Sequence, residues 1–278
     1  YLLFLLIMGI PVLVCEFAIG RASRYSIAEA FETLEPEGTK WHWTKWIGIL
    51  GSYLLMMFYT TVAGWMLYYC FRNIRGDFAE AGTKEVEAGF SQMLGNAPVM
   101  GLWTFILITA GFGICWFGIQ NGIEKVSKVM MSVLFLIMIV LAVRSVFLEG
   151  AGEGVRFYLI PDFQKMQEIG IGNVIFGAMS QAFFTLSIGI GAMMIFGSYL
   201  GKERSLTGEA LSITILDTFV ATMAGFIIIP TCFAYGIEPG SGPSLIFLTI
   251  PNIFAQMPGG QLWGALFFLF LTFAAFTT

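Results

Sequence analysis

The sequence predicts an all-α polytopic membrane protein, and three observations support this fold class. Hydrophobic residues make up 57% of the 278 residues and charged residues only 12%, whereas soluble domains carry about 25% charged residues. Several apolar runs reach the roughly 20 residues that a transmembrane helix needs. The runs show no strand-like alternation, and helices are the expected spanning element because lipid cannot hydrogen-bond to exposed backbone groups.

Seven apolar runs are candidate transmembrane helices. In chain order they are residues 1–20, 46–71, 101–121, 129–148, 172–200, 211–236 and 261–278. A shorter apolar segment, 244–257, contains Pro251, is flanked by Gly and Pro residues and is too short to span a bilayer. We predict that this segment forms an extracellular surface or re-entrant hairpin.

Loop charges predict the orientation of these helices. Lys and Arg residues are more concentrated in the loops 21–45, 122–128 and 201–210 than in the longer intervening loops, and positively charged loops are retained in the cytoplasm. We therefore expect these three loops to be cytoplasmic. Because the sequence begins and ends inside apolar runs, we expect it to be a fragment of a longer protein.

The first run carries an ionisable residue, Glu16, well inside the apolar sequence. A carboxyl group at such a depth is costly, so it usually faces a polar interior and has a function. The alternative is a helix-end residue, since Glu16 is five residues from Arg21 and its side chain could extend to the lipid headgroups. The residue pattern leaves both interpretations open.

The run 172–200 contains the sequence Ser187-Ile-Gly-Ile-Gly191, which is unfavourable in a helix because each glycine costs about 1 kcal/mol relative to alanine. One interpretation is close helix packing, which small residues permit. The other is a discontinuous helix, whose free N–H groups would attract an anion and whose free carbonyl groups would attract a cation. Transporters place substrate and ion sites at such breaks.

The last two runs carry polar residues that could bind a cation. Asp217, between Thr214 and Thr218, is the other acid well inside an apolar run, and its alternative role is a structural hydrogen bond between helices. The chain ends in FAAFTT, residues 273–278. Its hydroxyl and carbonyl oxygens on one helix face could ligate Na⁺, or the hydroxyls could bond their own helix.

Other chemistries are not favoured by the composition. The four cysteines lie in or beside apolar runs without a CxxC spacing, and the single histidine, His42, is in a polar loop. This pattern is not typical of zinc or haem sites. We expect no organic cofactor and no nucleic-acid partner, and we expect the lipid bilayer to surround the helices.

Six stretches together resemble the neurotransmitter:sodium symporters, particularly the bacterial sodium-dependent amino-acid transporters with the LeuT fold. They are GIPVLVCEFAIGR (9–21), MFYTTVAGWMLYY (57–69), FGIQNGIEKVSK (117–128), PDF (161–163), SQAFFTLSIGIGA (180–192) and FAAFTT (273–278). The resemblance implies that the chain covers the second to the eighth helix of the family. It also implies a multi-pass protein of the plasma membrane, a LeuT-type helix bundle with one helix discontinuous near 187–191, and no enzymatic activity.

The resemblance also implies roles for individual residues. The substrate-binding residues would be Leu55, Tyr59, Phe184, Ser187, Ile190, Gly191 and Thr278. The sodium ligands would be Thr185 and Asp217 at a first site and Ala274, Thr277 and Thr278 at a second site. The supporting residues would be Glu16, Gln181 and Tyr1. Both sodium sites would be incomplete here, because the remaining ligands belong to the first family helix.

Two departures from the family pattern refine the expected function. Asp217 stands where the family often has Asn, and Ala221 stands where chloride-dependent members have Ser. We therefore expect the Asp217 carboxylate to replace chloride. Leu55, Phe184 and Ile190 predict an apolar pocket for a hydrophobic or aromatic amino acid.

The resulting expectation is sodium-coupled amino-acid uptake by alternating access. The alternative is a membrane sensor on the same fold that binds an amino acid without coupled transport. Accumulation against a gradient distinguishes the two functions, because a sensor binds its ligand but does not accumulate it.

Overall fold

The computed structural model describes residues 1–78, 83–116, 124–236 and 245–277. Its main helices, in chain order, are α1 Leu2–Ser23, α2 Ile27–Leu34, α3 Thr44–Arg75, α4 Thr83–Gly95, α5 Ala97–Trp116, α6 Glu124–Val146, α7 Ala151–Leu159, α8 Phe163–Ile169, α9 Ile171–Thr185, α10 Ala192–Tyr199, α11 Leu206–Ala234, α12 Ile250–Gln256 and α13 Gly260–Thr277. No strand occurs in the part of the chain that the structure describes. The all-α prediction is thus confirmed.

Five of the described helices are long and apolar enough to cross a membrane. They are α1, α3 with the preceding turn from Trp41, α5, α6 and α11. The predicted run 172–200 is instead divided into α9 and α10, so the predicted discontinuity is confirmed. The seventh run corresponds to α13, and its last residue, Thr278, lies outside the described residues.

Two π-helical segments precede prolines at the same spacing. Leu5–Gly9 forms a π-helix two residues before Pro11, and Leu245–Thr249 forms one two residues before Pro251. Proline has no N–H to donate and its ring crowds the carbonyl four residues earlier. The wider π-turn moves that carbonyl away, so the chain continues as a helix through each proline.

The chain divides into two compact units. The first contains Tyr1–Met56 and Asp162–Ala221, and the second contains Met57–Pro161 and Thr222–Thr278. The first unit has an apolar core around Leu13, Phe17 and Leu186, which packs α1 against α9. Helix α1 also packs against α10, and this contact positions the site.

Two glycines allow α1 and α10 to pack with their backbones almost in contact. A Cβ atom on Gly20 of α1 would overlap the carbonyl of Met194, and one on Gly197 of α10 would lie 2.7 Å from the Phe17 carbonyl oxygen. Both glycines are buried. Because the obstructing atoms belong to the backbone, neither position can accept a larger side chain without displacement of a helix.

The second unit has an aromatic core that includes the segment predicted to be a hairpin. Tyr69 of α3 is fully buried, and its ring centroid lies 5.2 Å from those of Phe247 and Phe268. Residues 245–256 form the π-helix and α12, and the side chains of Ile250 and Ile253 are buried. The described part of this segment is therefore helical and packed in this unit, and the extracellular surface or re-entrant hairpin stays a prediction.

We expect Gly197→Ala to destabilise the full-length protein by about 1–3 kcal/mol, because the added methyl overpacks a backbone contact. Thermal unfolding in detergent measures this effect as a lower midpoint. The matched control is Gly177→Ala in α9, where no atom lies within 4 Å of the new Cβ. Equal stability of the two variants would contradict the close contact between α1 and α10.

Candidate functional site

The break between α9 and α10 is a six-residue segment, 186–191, with repeated left-handed backbone conformations. The φ angles are +51° at Ser187, +91° at Gly189 and +74° at Gly191. Glycine adopts such angles readily, whereas for serine they are uncommon and strained. Gly189 and Gly191 therefore explain why the helix stops here, and the strain at Ser187 indicates a conformation that neighbouring residues hold in place.

The carboxylate of Glu16 stabilises this segment. Its Oε1 accepts a hydrogen bond from the Gly189 N–H at 2.7 Å, and its Oε2 accepts one from the Met193 N–H at 3.2 Å. Met193 lies in the first turn of α10, where backbone N–H groups have no partner within the helix. Glu16 is only 5% exposed, and its position is incompatible with the alternative of a side chain extending to the headgroups.

Asp217 of α11 is bound to the other side of the break. The Thr185 hydroxyl, at the last residue of α9, donates to Asp217 Oδ2 at 2.7 Å. The Tyr1 hydroxyl is buried beside these two side chains. Carboxylate and hydroxyl oxygens are ligands of hard cations, so this cluster has the chemistry of a sodium site.

The other predicted residues of the first unit surround the break less closely. Phe184 is 60% exposed, and Gln181 is also exposed. Ile190 contacts α3, since a Cβ on Gly51 would lie 2.9 Å from Ile190 Cγ2. Leu55 lies one turn further along α3 and is partly exposed.

The remaining predicted residues belong to the second unit or lie outside the described chain. Tyr59 is in α3 and partly exposed, and Ala274 and Thr277 are in the last turns of α13. Thr278 lies outside the described residues. The contribution of these residues to a common substrate or sodium site stays a prediction.

Sequence reasoning missed three residues that contact the break or α10. Ile27 of α2 packs against Gly191, and Gly48 of α3 lies against the Ile190 carbonyl oxygen. Arg24 donates from Nη1 to the carbonyls of Ser198 and Leu200 at 2.9 and 3.1 Å, at the C-terminal end of α10. The spacing of Gly48 and Gly51 on one helix face was an available signal, whereas the pairing of Ile27 with Gly191 had none.

A family model described as the sodium:neurotransmitter symporter family matches residues 77–278. The chain belongs to this family. Over its whole length it is 36% identical to an uncharacterized sodium-dependent transporter, YhdH, of Bacillus subtilis, and over 99% of its length it is 34% identical to one of Haemophilus influenzae. The chain spans 60% and 61% of these two relatives.

The symporter fold is also found in a solved structure of a relative. The crystal structure of MhsT in complex with L-phenylalanine matches the whole chain with a TM-score of 0.89 and 36% identity. The chain covers 62% of MhsT. These similarities confirm the resemblance inferred from the sequence and identify the chain as part of a multi-pass membrane protein.

We expect Glu16→Gln to destabilise the break by about 1–3 kcal/mol, because an amide has one acceptor oxygen where the carboxylate has two, and bonds to charged groups are strong. Hydrogen exchange of the Gly189 and Met193 amides should become faster. The matched control is Glu29→Gln, an exposed acid of α2. Unchanged protection at both amides in Glu16→Gln would show that Glu16 does not hold the break.

Proposed function

We propose that the full-length protein is a sodium-coupled symporter that takes up a hydrophobic or aromatic amino acid by alternating access, independently of chloride. The observation that carries this proposal is the broken helix bound on one side by Glu16 and on the other by Asp217. The sodium-dependent relatives support coupling to sodium. Sodium binding favours one conformation of the protein. Its effect is therefore a coupling free energy between ion binding and substrate binding, and not a chemical reaction.

The first sodium ion is assigned to the cluster of Thr185 and Asp217. Thr185 ends α9, so an ion that binds its hydroxyl oxygen also fixes the end of the helix beside the break. Two intramembrane acids without an intramembrane base favour a cation over an anion. A second sodium ion is assigned to Ala274, Thr277 and Thr278 by family resemblance alone.

The amino-acid substrate is assigned to the apolar residues next to the break. Leu55, Phe184 and Ile190 are apolar and none of them is fully buried in the first unit, so they can contact a hydrophobic side chain. The related MhsT was crystallised with L-phenylalanine, which is consistent with an aromatic substrate. By family resemblance alone, the Tyr59 hydroxyl is assigned to the substrate carboxylate.

The charge at Asp217 supports the proposed independence from chloride. The Thr185 hydroxyl, which could donate to an anion, already donates to the Asp217 carboxylate. Ala221, one turn later on α11, has no hydroxyl. A fixed carboxylate therefore provides the negative charge here, and it would repel a chloride ion at the same position.

Sodium-gradient-driven uptake of labelled phenylalanine or leucine into proteoliposomes tests the symport proposal on the full-length protein. We expect accumulation that collapses without the gradient. In Asp217→Ala, the sodium concentration for half-maximal uptake should rise about tenfold or more, within the usual range of coupling energies. The matched control is Glu209→Ala, which removes an acid of the same helix that pairs with exposed Arg204.

Binding of phenylalanine or leucine without accumulation would favour the sensor function instead. This outcome has a physical basis, because ligand binding at the break does not require that the protein alternate between two open states.

Replacement of chloride by gluconate tests the role of the fixed charge. We expect uptake at the same sodium concentration to stay within about twofold of its value in chloride, because the carboxylate needs no mobile counter-anion. A matched measurement with Glu209→Ala should also be unaffected by chloride. Loss of uptake by the wild-type protein in gluconate would contradict this assignment.

A further inference from the structure

The side chain of Ile27, the first residue of α2, occupies a gap between two glycines. A Cβ atom on either Gly48 of α3 or Gly191 of the break would overlap Ile27 Cδ1. A Cβ on Gly48 would also lie 2.6 Å from the Ile190 carbonyl oxygen. Gly191 is buried, so Ile27 covers one side of the break at the point where α10 begins.

Polar contacts hold the C-terminal end of α2 against the start of α3. The Glu35 carboxylate accepts from the His42 backbone N–H at 3.1 Å and contacts His42 Nδ1 at 2.7 Å. Lys45 Nζ donates to Glu32 at 2.9 Å. Desolvation raises the pKa of Glu35, but the hydrogen bonds from His42 outweigh it, and the pKa is lower than its ordinary value.

The other end of this loop is attached to α10. Arg24 has a left-handed conformation with φ of +64°, which ends α1 and directs the chain towards α2. Its guanidinium binds the last carbonyls of α10, at Ser198 and Leu200. The segment from 24 to 45 is therefore attached at both ends, and this attachment holds Ile27 beside Gly191.

The strengths of these contacts differ in a way that permits movement. Exposed ion pairs such as Glu32 with Lys45 contribute little to stability, because water screens them. The apolar contact of Ile27 is non-directional and reforms whenever the side chain returns. A short helix that is held in part by an exposed ion pair, and that carries one apolar side chain into a glycine-lined gap, is suited to reversible closure.

We propose that Ile27 is a positioning residue that closes the cytoplasmic side of the helix break, and that α2 withdraws to expose residues 190 and 191 to the cytoplasm. The inference rests on the proposed function, which requires the break to become accessible from each side in turn. The loop 21–45 is the cytoplasmic loop predicted from its charges.

The test measures thiol accessibility in the full-length protein. Ile190→Cys is introduced after replacement by serine of Cys15, Cys115 and every other exposed cysteine. A membrane-impermeant methanethiosulfonate reagent is added to inside-out vesicles. We expect Ile27→Ala to increase the labelling rate of the thiol introduced at position 190 about tenfold, because three carbon atoms leave a partly buried contact.

Two substitutions provide matched controls. Leu34→Ala truncates another apolar residue of α2, but Leu34 is 42% exposed, so the labelling rate should stay within about twofold of that of the Ile190→Cys parent. Ile27→Leu keeps the number of carbon atoms and should restore low labelling.

A second variant, Glu35→Gln, weakens the contact with His42 and should increase labelling several-fold. Its control, Glu37→Gln, changes an exposed residue and should not increase labelling.

Several outcomes would overturn the proposal. They are an unchanged labelling rate in folded Ile27→Ala, an equal increase in Leu34→Ala, and labelling of the introduced thiol only from the opposite side of the membrane. The assay needs neither sodium nor an amino acid. If the wild-type protein fails to accumulate substrate while Ile27→Ala still increases labelling, the symport proposal fails and the role of Ile27 stands.

Discussion

The hydrogen bonds from Glu16 to the backbone of the broken helix are the interaction on which the rest of the site depends. A break between α9 and α10 leaves N–H groups without helical partners, and each unpaired group away from water is costly. A buried carboxylate without donors is more costly still. The contacts of Glu16 with Gly189 and Met193 remove both costs together, so the acid and the break stabilise each other.

Glycines provide the geometry that lets this carboxylate reach the break. Glu16 and Gly20 lie four residues apart and therefore on the same face of α1. The contacts of Gly20 with Met194, and of Gly197 with Phe17, bring the backbone of α10 next to that face. A larger residue at either glycine would move α10 away from the carboxylate, so the packing between α1 and α10 also determines the hydrogen bonding.

The features that the sequence predicted are those that violate an ordinary rule of membrane helices. Two glycines inside an apolar run indicated either a break or close packing, and the family resemblance implied the break. Glu16 and Asp217 were candidates because they are acids inside apolar runs. The packing of Ile27 against Gly191 follows no such rule, because an apolar residue in a short amphipathic helix is ordinary and its partner is distant in sequence. The same limit applies to residues 245–257: their length shows that they are too short to span a bilayer, but the packing of Phe247 against Tyr69 joins residues that are distant in sequence.

Thr185 connects the charge at Asp217 to the conformation of the break. Its hydroxyl binds the carboxylate, and its backbone ends α9 immediately before the left-handed residues. A change in the groups that bind the Asp217 carboxylate therefore changes the restraint on Thr185. Conversely, a movement of the break moves Thr185, which donates a hydrogen bond to Asp217. Under the proposed function, sodium binding and ordering of the break are thus coupled through one residue, and by reciprocity each must favour the other by the same free energy.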